Sequence, residues 1–341
     1  MGPAKITRCL VSILAALAAA NAHPAELKIA TLAPDGTTFA KAMRAGGEEI
    51  ADRTDGRVKL RLYPGGAMGN DTTVLRKIRV GQLHGGAVTG GALSDIFPDV
   101  QIYGLPVLFR SYDEVDYVRA RVDAKIIDGL ADRGFVSFGL VEAGFSYLMS
   151  NKPITTVDGL KGQKAWMPEG DAISQAIFEA ADISPVPLPL SDVLTGLQTG
   201  LVNTVGSSPV GAVALQWFTK VKYLTKTPLL YIYGTVVVSQ KAFKRIAPAD
   251  QEVVREVMGR IAADLNGRSR TDNAEALQAL VKQGITVVEP TAEETGHWEI
   301  IAADARLRLK KKGAYAPELL EEVLGLLEAY RNQAQKVDTG T

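Results

Sequence analysis

Histidine, cysteine and serine are the residues most able to do covalent or metal chemistry, and here they are few and poorly spaced for it. The 341 residues contain His23, His84 and His297 and a single cysteine, Cys9. No His-Glu-x-x-His run occurs, and no His/Cys cluster has zinc-ligand spacing. Gly206-Ser207-Ser208-Pro209-Val210 lacks the second glycine of a Gly-x-Ser-x-Gly nucleophile elbow. The run Gly85–Gly91 has neither the Gly-Lys-Ser/Thr ending of a phosphate loop nor Gly-x-Gly-x-x-Gly spacing. It reads better as a strand-to-loop transition, which is still where an open α/β sheet binds ligands. Carboxylate pairs abound on the Glu- and Lys-rich helices, and no spacing marks one pair as acid and base. The expectation is a protein that is not an enzyme and uses neither metal nor cofactor. The alternative is an exported α/β hydrolase, with His84 or His297 as its base. His84 reads more simply as a strand-start residue, and His297, beside Trp298, as surface or helix packing.

The elements around these residues alternate. Leu27–Leu32 reads as a strand, Phe39–Arg53 as a helix, Val58–Tyr63 as a strand, Thr72–Val80 as a helix and His84–Val88 as a strand. That order implies a parallel sheet with helices on its faces. Helices are expected over Tyr112–Arg119 and Ala124–Arg133, then a buried strand over Phe135–Glu142. A second alternating set follows: strand Gly162–Trp166, helix Asp171–Ala181, strand Ser184–Leu188, helix Ser191–Thr199 and strand Asn203–Gly206. Leu229–Ser239 is strongly β, and helices dominate from Ala249, with one strand near Ile285–Val288. With no floppy tether between them, the two α/β lobes should meet at a hinge and enclose a cleft.

Lysine plus arginine number 38, and aspartate plus glutamate also number 38. This balance excludes the basic excess of a nucleic-acid binder. Hydrophobic residues at 46% and charged residues at 22% describe a globular chain, not a disordered one. The N-terminus sets the compartment. Lys5 and Arg8 precede the apolar run Leu10–Ala20, and Ala20-Asn21-Ala22 then supplies a small-x-small cleavage site. Residues 1–22 read as a secretory signal peptide cleaved after Ala22, the apolar run being too short to span a membrane. Cleavage leaves two more acidic than basic residues and no cysteine. The mature chain is expected to be soluble, periplasmic and held by its core alone.

Four ordered segments resemble the extracytoplasmic substrate-binding proteins of tripartite ATP-independent periplasmic (TRAP) transporters, the DctP type. They are Leu27–Thr37, the run Gly56–Asp71 with Tyr63-Pro64-Gly65-Gly66, Leu160–Glu169, and Val186–Leu188 through Leu197–Asn203. The resemblance covers roughly Leu27 to Arg331. It implies a two-lobe α/β periplasmic binding protein with mixed sheets, discontinuous lobes and a long bracing helix. Lobe I would be residues 26–142 plus about 232–270, lobe II 143–231 plus about 271–331, and 332–341 a C-terminal tail. It further implies a small-molecule ligand, expected to be a small organic acid with an apolar or aromatic part, delivered to the small and large membrane subunits of a permease. A neutral or cationic ligand is the rival.

Relatives of this kind place a carboxylate-gripping arginine where this chain has Trp166, and a second after Gly-Phe, where it has Ser146. Ser207 stands nearest their usual asparagine, and Ser208 suits an N-cap before Pro209. Trp166 is read as a platform under a ring or apolar part of the ligand, with ordinary packing as the alternative. Pro168 belongs to the same run. Phe145 and Tyr147 alternate in direction, so at most one faces the cleft. Glu142 would accept a proton from a ligand hydroxyl or amine, or pair with a lysine. Thr89, Asp71 and Phe109 match the rim of lobe I, and Tyr231 or Tyr233 lines the cleft or belongs to the sheet core.

Overall fold

A computed structural model describes residues 25–338; the signal peptide read over residues 1–22 lies outside them. β1 (Ala25–Thr31) pairs in parallel with β2 (Val58–Tyr63), Leu27 opposite Leu60. Between them α1 (Thr38–Arg53) crosses over, started by Thr37, whose hydroxyl accepts the Ala40 N–H. α2 (Asp71–Arg79) starts the same way from Asn70, and β3 (Gly85–Thr89) returns parallel to β1. This is the β-α-β-α-β order expected from the sequence.

α3 (Tyr112–Asp132) is one helix where the periodicity suggested two. No Pro or Gly interrupts Arg119–Ala124, and Val115, Val118, Val122, Ile126 and Leu130 form a single buried stripe. β4 (Phe135–Ser150) likewise runs well past Glu142. Gly139 and Gly144 take φ values of 128° and 92°, so the strand kinks there instead of ending.

The second lobe contains α4 (Val157–Leu160), β5 (Trp166–Pro168), α5 (Ala172–Ala180), β6 (Val186–Leu188), α6 (Val193–Thr199), β7 (Thr204–Ser207) and α7 (Pro209–Ala214). β5 and β6 form a small parallel sheet, and β7 joins β4 antiparallel. β8 (Tyr223–Ser239) begins six residues before the expected Leu229. Its ladder with β4 jumps from Leu230 opposite Ser146 to Thr225 opposite Leu148. The omitted stretch contains Pro228, which has no N–H to give a ladder. The main sheet runs β2-β1-β3-β8-β4-β7, with β9 (Thr286–Val288) on β8. Strands β4 and β8 thus pass through both lobes.

After α8 (Gln240–Phe243) comes α9 (Pro248–Lys282), 35 residues and about 50 Å long. It begins against lobe I, burying Val254, Val257, Met258 and Ile261. At Gly46 on α1 a Cβ would lie 2.2 Å from Ile261 Cδ1, so a larger residue there would force Ile261 to repack. Further along, Asn273 Oδ1 accepts the Val210 N–H of α7 at 3.2 Å, and Leu280 joins the core of lobe II. The chain ends with α10 (Ala292–Lys311) and α11 (Pro317–Asp338). α11 packs on α3 of lobe I through Lys125–Glu322 at 2.6 Å and Arg331–Glu114 at 2.7 Å. The sequence division placed this helix with lobe II, because an amphipathic stripe does not say which surface it will cover. α11 also takes up much of the segment read as a tail. Among the described residues no helix is long and apolar enough to cross a membrane.

Candidate functional site

A cavity of about 460 Å³ lies where the two lobes face each other across β4 and β8. Lobe I contributes Asp71 from the start of α2 and Thr89 from the end of β3. Lobe II contributes Trp166 and Pro168 from β5, and Ser207 from the end of β7. Ser146 on β4 and Tyr231 and Tyr233 on β8 complete the expected set. Seven of the ten predicted site residues therefore share one space: Asp71, Thr89, Ser146, Trp166, Pro168, Ser207 and Tyr233.

Their hydrogen bonds limit what each can offer. Trp166 is 8% exposed, and its Nε1–H is donated to the Leu188 carbonyl at 3.0 Å. Behind it Trp217 packs edge-on, with ring centroids 5.1 Å apart and planes at 76°. The indole thus presents carbon surface and no free donor; packing and cavity wall are the same residue. The Ser207 hydroxyl donates to the Ser208 carbonyl at 3.1 Å, and Ser208 caps α7 by accepting the Gly211 N–H. The Ser146 hydroxyl, in a buried residue, has no hydrogen-bond partner among the described residues. The Tyr233 hydroxyl, itself fully enclosed, likewise has no hydrogen-bond partner among the described residues. Burial pushes its ionisation well above the ordinary phenol range. Gly90 is required beside it, since a Cβ there would stand 2.6 Å from the tyrosine ring.

Asp71 Oδ2 accepts both the backbone N–H and the hydroxyl of Thr89, each at 3.0 Å. Burial raises its carboxyl pKa, and the two Thr89 bonds pull it back down. Glu169 and Asp171 also line the cavity, and Asp171 caps α5 by accepting the Ser174 N–H at 2.9 Å. The described lining includes no lysine, arginine or histidine.

Three predicted residues lie outside this lining. Glu142 is buried, but its carboxylate receives the Tyr231 hydroxyl at 2.7 Å and Arg270 Nε at 3.0 Å. Its partner is thus an arginine on α9, where the sequence offered a lysine or a ligand. Phe109 is a core residue against Tyr103 and Tyr231, with centroids at 6.2 and 5.9 Å. Tyr147 is half-buried and packs between two apolar clusters, while Phe145 packs on Tyr112 at 4.8 Å. Neither of this alternating pair reaches the cavity.

Sequence reasoning missed Asp171, Trp217 and Trp298. Asp171 carried a signal, an acidic residue three before a serine at a helix start. Trp298, given no role in the sequence reading, is 4% exposed and both packs and lines the cavity. His84 Nδ1 accepts the Lys28 N–H at 3.1 Å, which fixes the start of β3, and burial lowers its pKa. Among the described residues no group of three or more His, Cys, Asp or Glu is placed to hold a metal.

With this geometry established, its likeness to known proteins is informative. Residues 29–306 match the family described as bacterial extracellular solute-binding protein, family 7 (DctP). The C4-dicarboxylate-binding periplasmic protein DctP of Rhodobacter capsulatus is 26% identical over 260 residues, covering 74% of this chain and 77% of the relative. The sialic acid-binding periplasmic protein SiaP of Vibrio cholerae is 23% identical over 296 residues, 84% of this chain and 90% of the relative. Among solved structures, a TRAP periplasmic solute binding protein from Ralstonia eutropha superposes with a TM-score of 0.83 at 21% identity. It is matched over 90% of this chain and 100% of its own, and contains bound (S)-2-acetolactate. The sugar acid binding protein DctPAm from Advenella mimigardefordensis, in complex with galactonate, gives 0.82 at 21% identity, over 90% and 98% of the two chains. These neighbours share the two-lobe fold and are receptors, not enzymes. Motifs, topology and family match agree that this chain belongs to the DctP family of periplasmic solute-binding proteins.

Proposed function

We propose that this protein is the substrate-binding component of a TRAP transporter, exported by residues 1–22, cleaved after Ala22 and released into the periplasm. It captures a small organic acid with a substantial apolar part between its lobes and delivers it to the small and large subunits of a membrane permease. The observation that carries this reading is the cavity between the lobes, with Trp166 as wall and no arginine or lysine in its described lining. An acid bound here is held by buried apolar contact and by hydroxyls such as Ser146, not by a forked salt bridge. The organic acids bound by the DctP-family and TRAP relatives support the class.

One observation favours a second reading. Asp71, Glu169 and Asp171 line the cavity without a described cation among them, which suits a neutral or cationic solute. A single thermal-shift panel on the mature chain separates the two. It contains apolar carboxylates and sulfonates, their amides, and their amines. Concentration-dependent stabilisation by an acid supports the first reading; stabilisation only by amides or amines supports the second. No shift across the panel at millimolar concentration would refute the receptor assignment.

A further inference from the structure

The cavity changes character along its length. At one end Glu169 and Gly170 are exposed, and a Cβ at Gly91 would stand 3.3 Å from Asp171, so the rims of the two lobes meet there. Thr89 and Asp71 give the nearby wall a hydroxyl and a carboxylate, and Ser146 stands further along, opposite Leu230 of β8 where Thr89 stands opposite Gly234. At the other end the wall is apolar. Leu148, Leu160 and Trp298 are buried members of one cluster, with Phe178 and Leu229 packed on it, and all five line the cavity. Ile301 and Ala302 extend this wall along α10. Its polar atoms are already engaged: Trp298 Nε1–H is donated to the Thr155 carbonyl at 3.1 Å, and the Leu229 carbonyl accepts the Val107 N–H at 2.8 Å. Ser146 and Leu148 are two apart on β4, so the change from hydroxyl to hydrocarbon takes about 7 Å of strand.

Resting on the receptor reading above, we infer that this apolar arm is a tail subsite. The solute is an elongated amphiphile, its polar head between Thr89 and Ser146 and an alkyl or aryl tail lying along α10 against Trp298, Ile301 and Phe178. A volume of about 460 Å³ falls in the range of clefts for ligands of drug size, about 300–1,000 Å³. A four-carbon diacid would leave the arm unfilled. Water filling it would find almost no partners, and an apolar arm without partners stays dry. A tail that fills it gains contact on all sides and displaces no well-held water.

The test is a homologous series. Straight-chain carboxylates, primary amides and amines of four to ten carbons are titrated calorimetrically into the mature chain. In whichever head series binds, affinity should rise about fourfold per methylene, the equivalent of ~0.8 kcal/mol, until the arm is full, and then fall. Ile301→Phe, which narrows the arm, should remove most of the gain of the long members and leave the short ones within about twofold. Affinity independent of length in the native chain overturns the tail subsite while leaving the receptor reading intact, and needs no folded variant. Long members binding Ile301→Phe as tightly as the native chain also overturns it. No binding in any of the three series overturns both.

Discussion

Trp166 allows a sharp test because its two functions can be separated by substitution. Its indole N–H is bonded to Leu188 at 3.0 Å and its ring is backed by Trp217. Trp166→Phe removes that hydrogen bond but keeps most of the ring surface. The stability cost should be about 1–2 kcal/mol, from one lost bond and a small void. Because the N–H is not available to a ligand, affinity should change by less than about threefold. Trp166→Ala removes the wall. Unfolding stability should fall by about 3–5 kcal/mol, as for other buried aromatics, and binding by a further ~1–3 kcal/mol, roughly five- to 150-fold. The assay is paired: urea denaturation without ligand for stability, then calorimetry at a temperature where the variant remains folded. If Trp166→Phe lost more than tenfold in affinity while keeping its stability, the indole N–H would have to turn to the ligand, and the assignment of Trp166 as an apolar wall would be wrong. If Trp166→Ala bound as tightly as the native chain, the residue would be packing only.

Two further substitutions follow from the electrostatics. Asp71→Asn removes a desolvated charge but keeps an acceptor for Thr89. A carboxyl whose pKa is raised by folding contributes stability below its unfolded pKa of about 3.8, and loses it as pH rises through the folded value. The variant should therefore be the more stable at pH 7, with its advantage vanishing on acidification, as read from urea midpoints at successive pH values. In binding it should improve affinity for an acid and weaken it for an amine, and calorimetry showing neither would detach Asp71 from the ligand. Arg270→Ala strands Glu142, whose side chain is only 1% exposed, with the Tyr231 hydroxyl as its remaining side-chain partner. Arg270 itself is one-third exposed, so the cost should sit at or below the low end of the buried-pair range, about 2–3 kcal/mol. A loss below 0.5 kcal/mol in denaturant unfolding would show that the pair contributes little.

The sequence disclosed the parts of the fold that repeat and hid the parts that bend. β1, β2 and β3 stand within a residue or two of their expected spans, because apolar alternation and capping threonine and asparagine residues mark their ends. β4 and β8 were read short because their interruptions, Gly144 and Pro228, look like ends to local rules. In the structure they are kinks tolerated by strands that continue into the other lobe. The site divided in the same way. Trp166, Ser146 and Ser207, which line the cavity, were singled out through departures from a recognised pattern at marked positions. Glu142 was misplaced because alternation gives a face of a strand, not what covers it; here Arg270 arrives from 128 residues away. Trp298 was missed as a lining residue because helical spacing cannot separate core from cavity wall when one residue is both.

That double role is the physical consequence of an aromatic wall at a position where the family resemblance implies a charged anchor. An arginine gripping a carboxylate draws its selectivity from charge and geometry and can project from a wall that is stable without it. Trp166, Leu148 and Trp298 line the cavity as members of the apolar clusters that hold lobe II together. Reshaping the cavity through any of them changes core packing as well, at a cost of about 24 cal/mol for each Å³ of void. Ile301 is different: it lines the same cavity but is neither fully buried nor among the cluster residues. Ligand range should therefore be adjustable at low stability cost from Ile301 on α10, and only at high cost from Trp166, Leu148 or Trp298. Specificity in this receptor is in that sense distributed unevenly, with its adjustable part on the helix that the family-like strand motifs do not include.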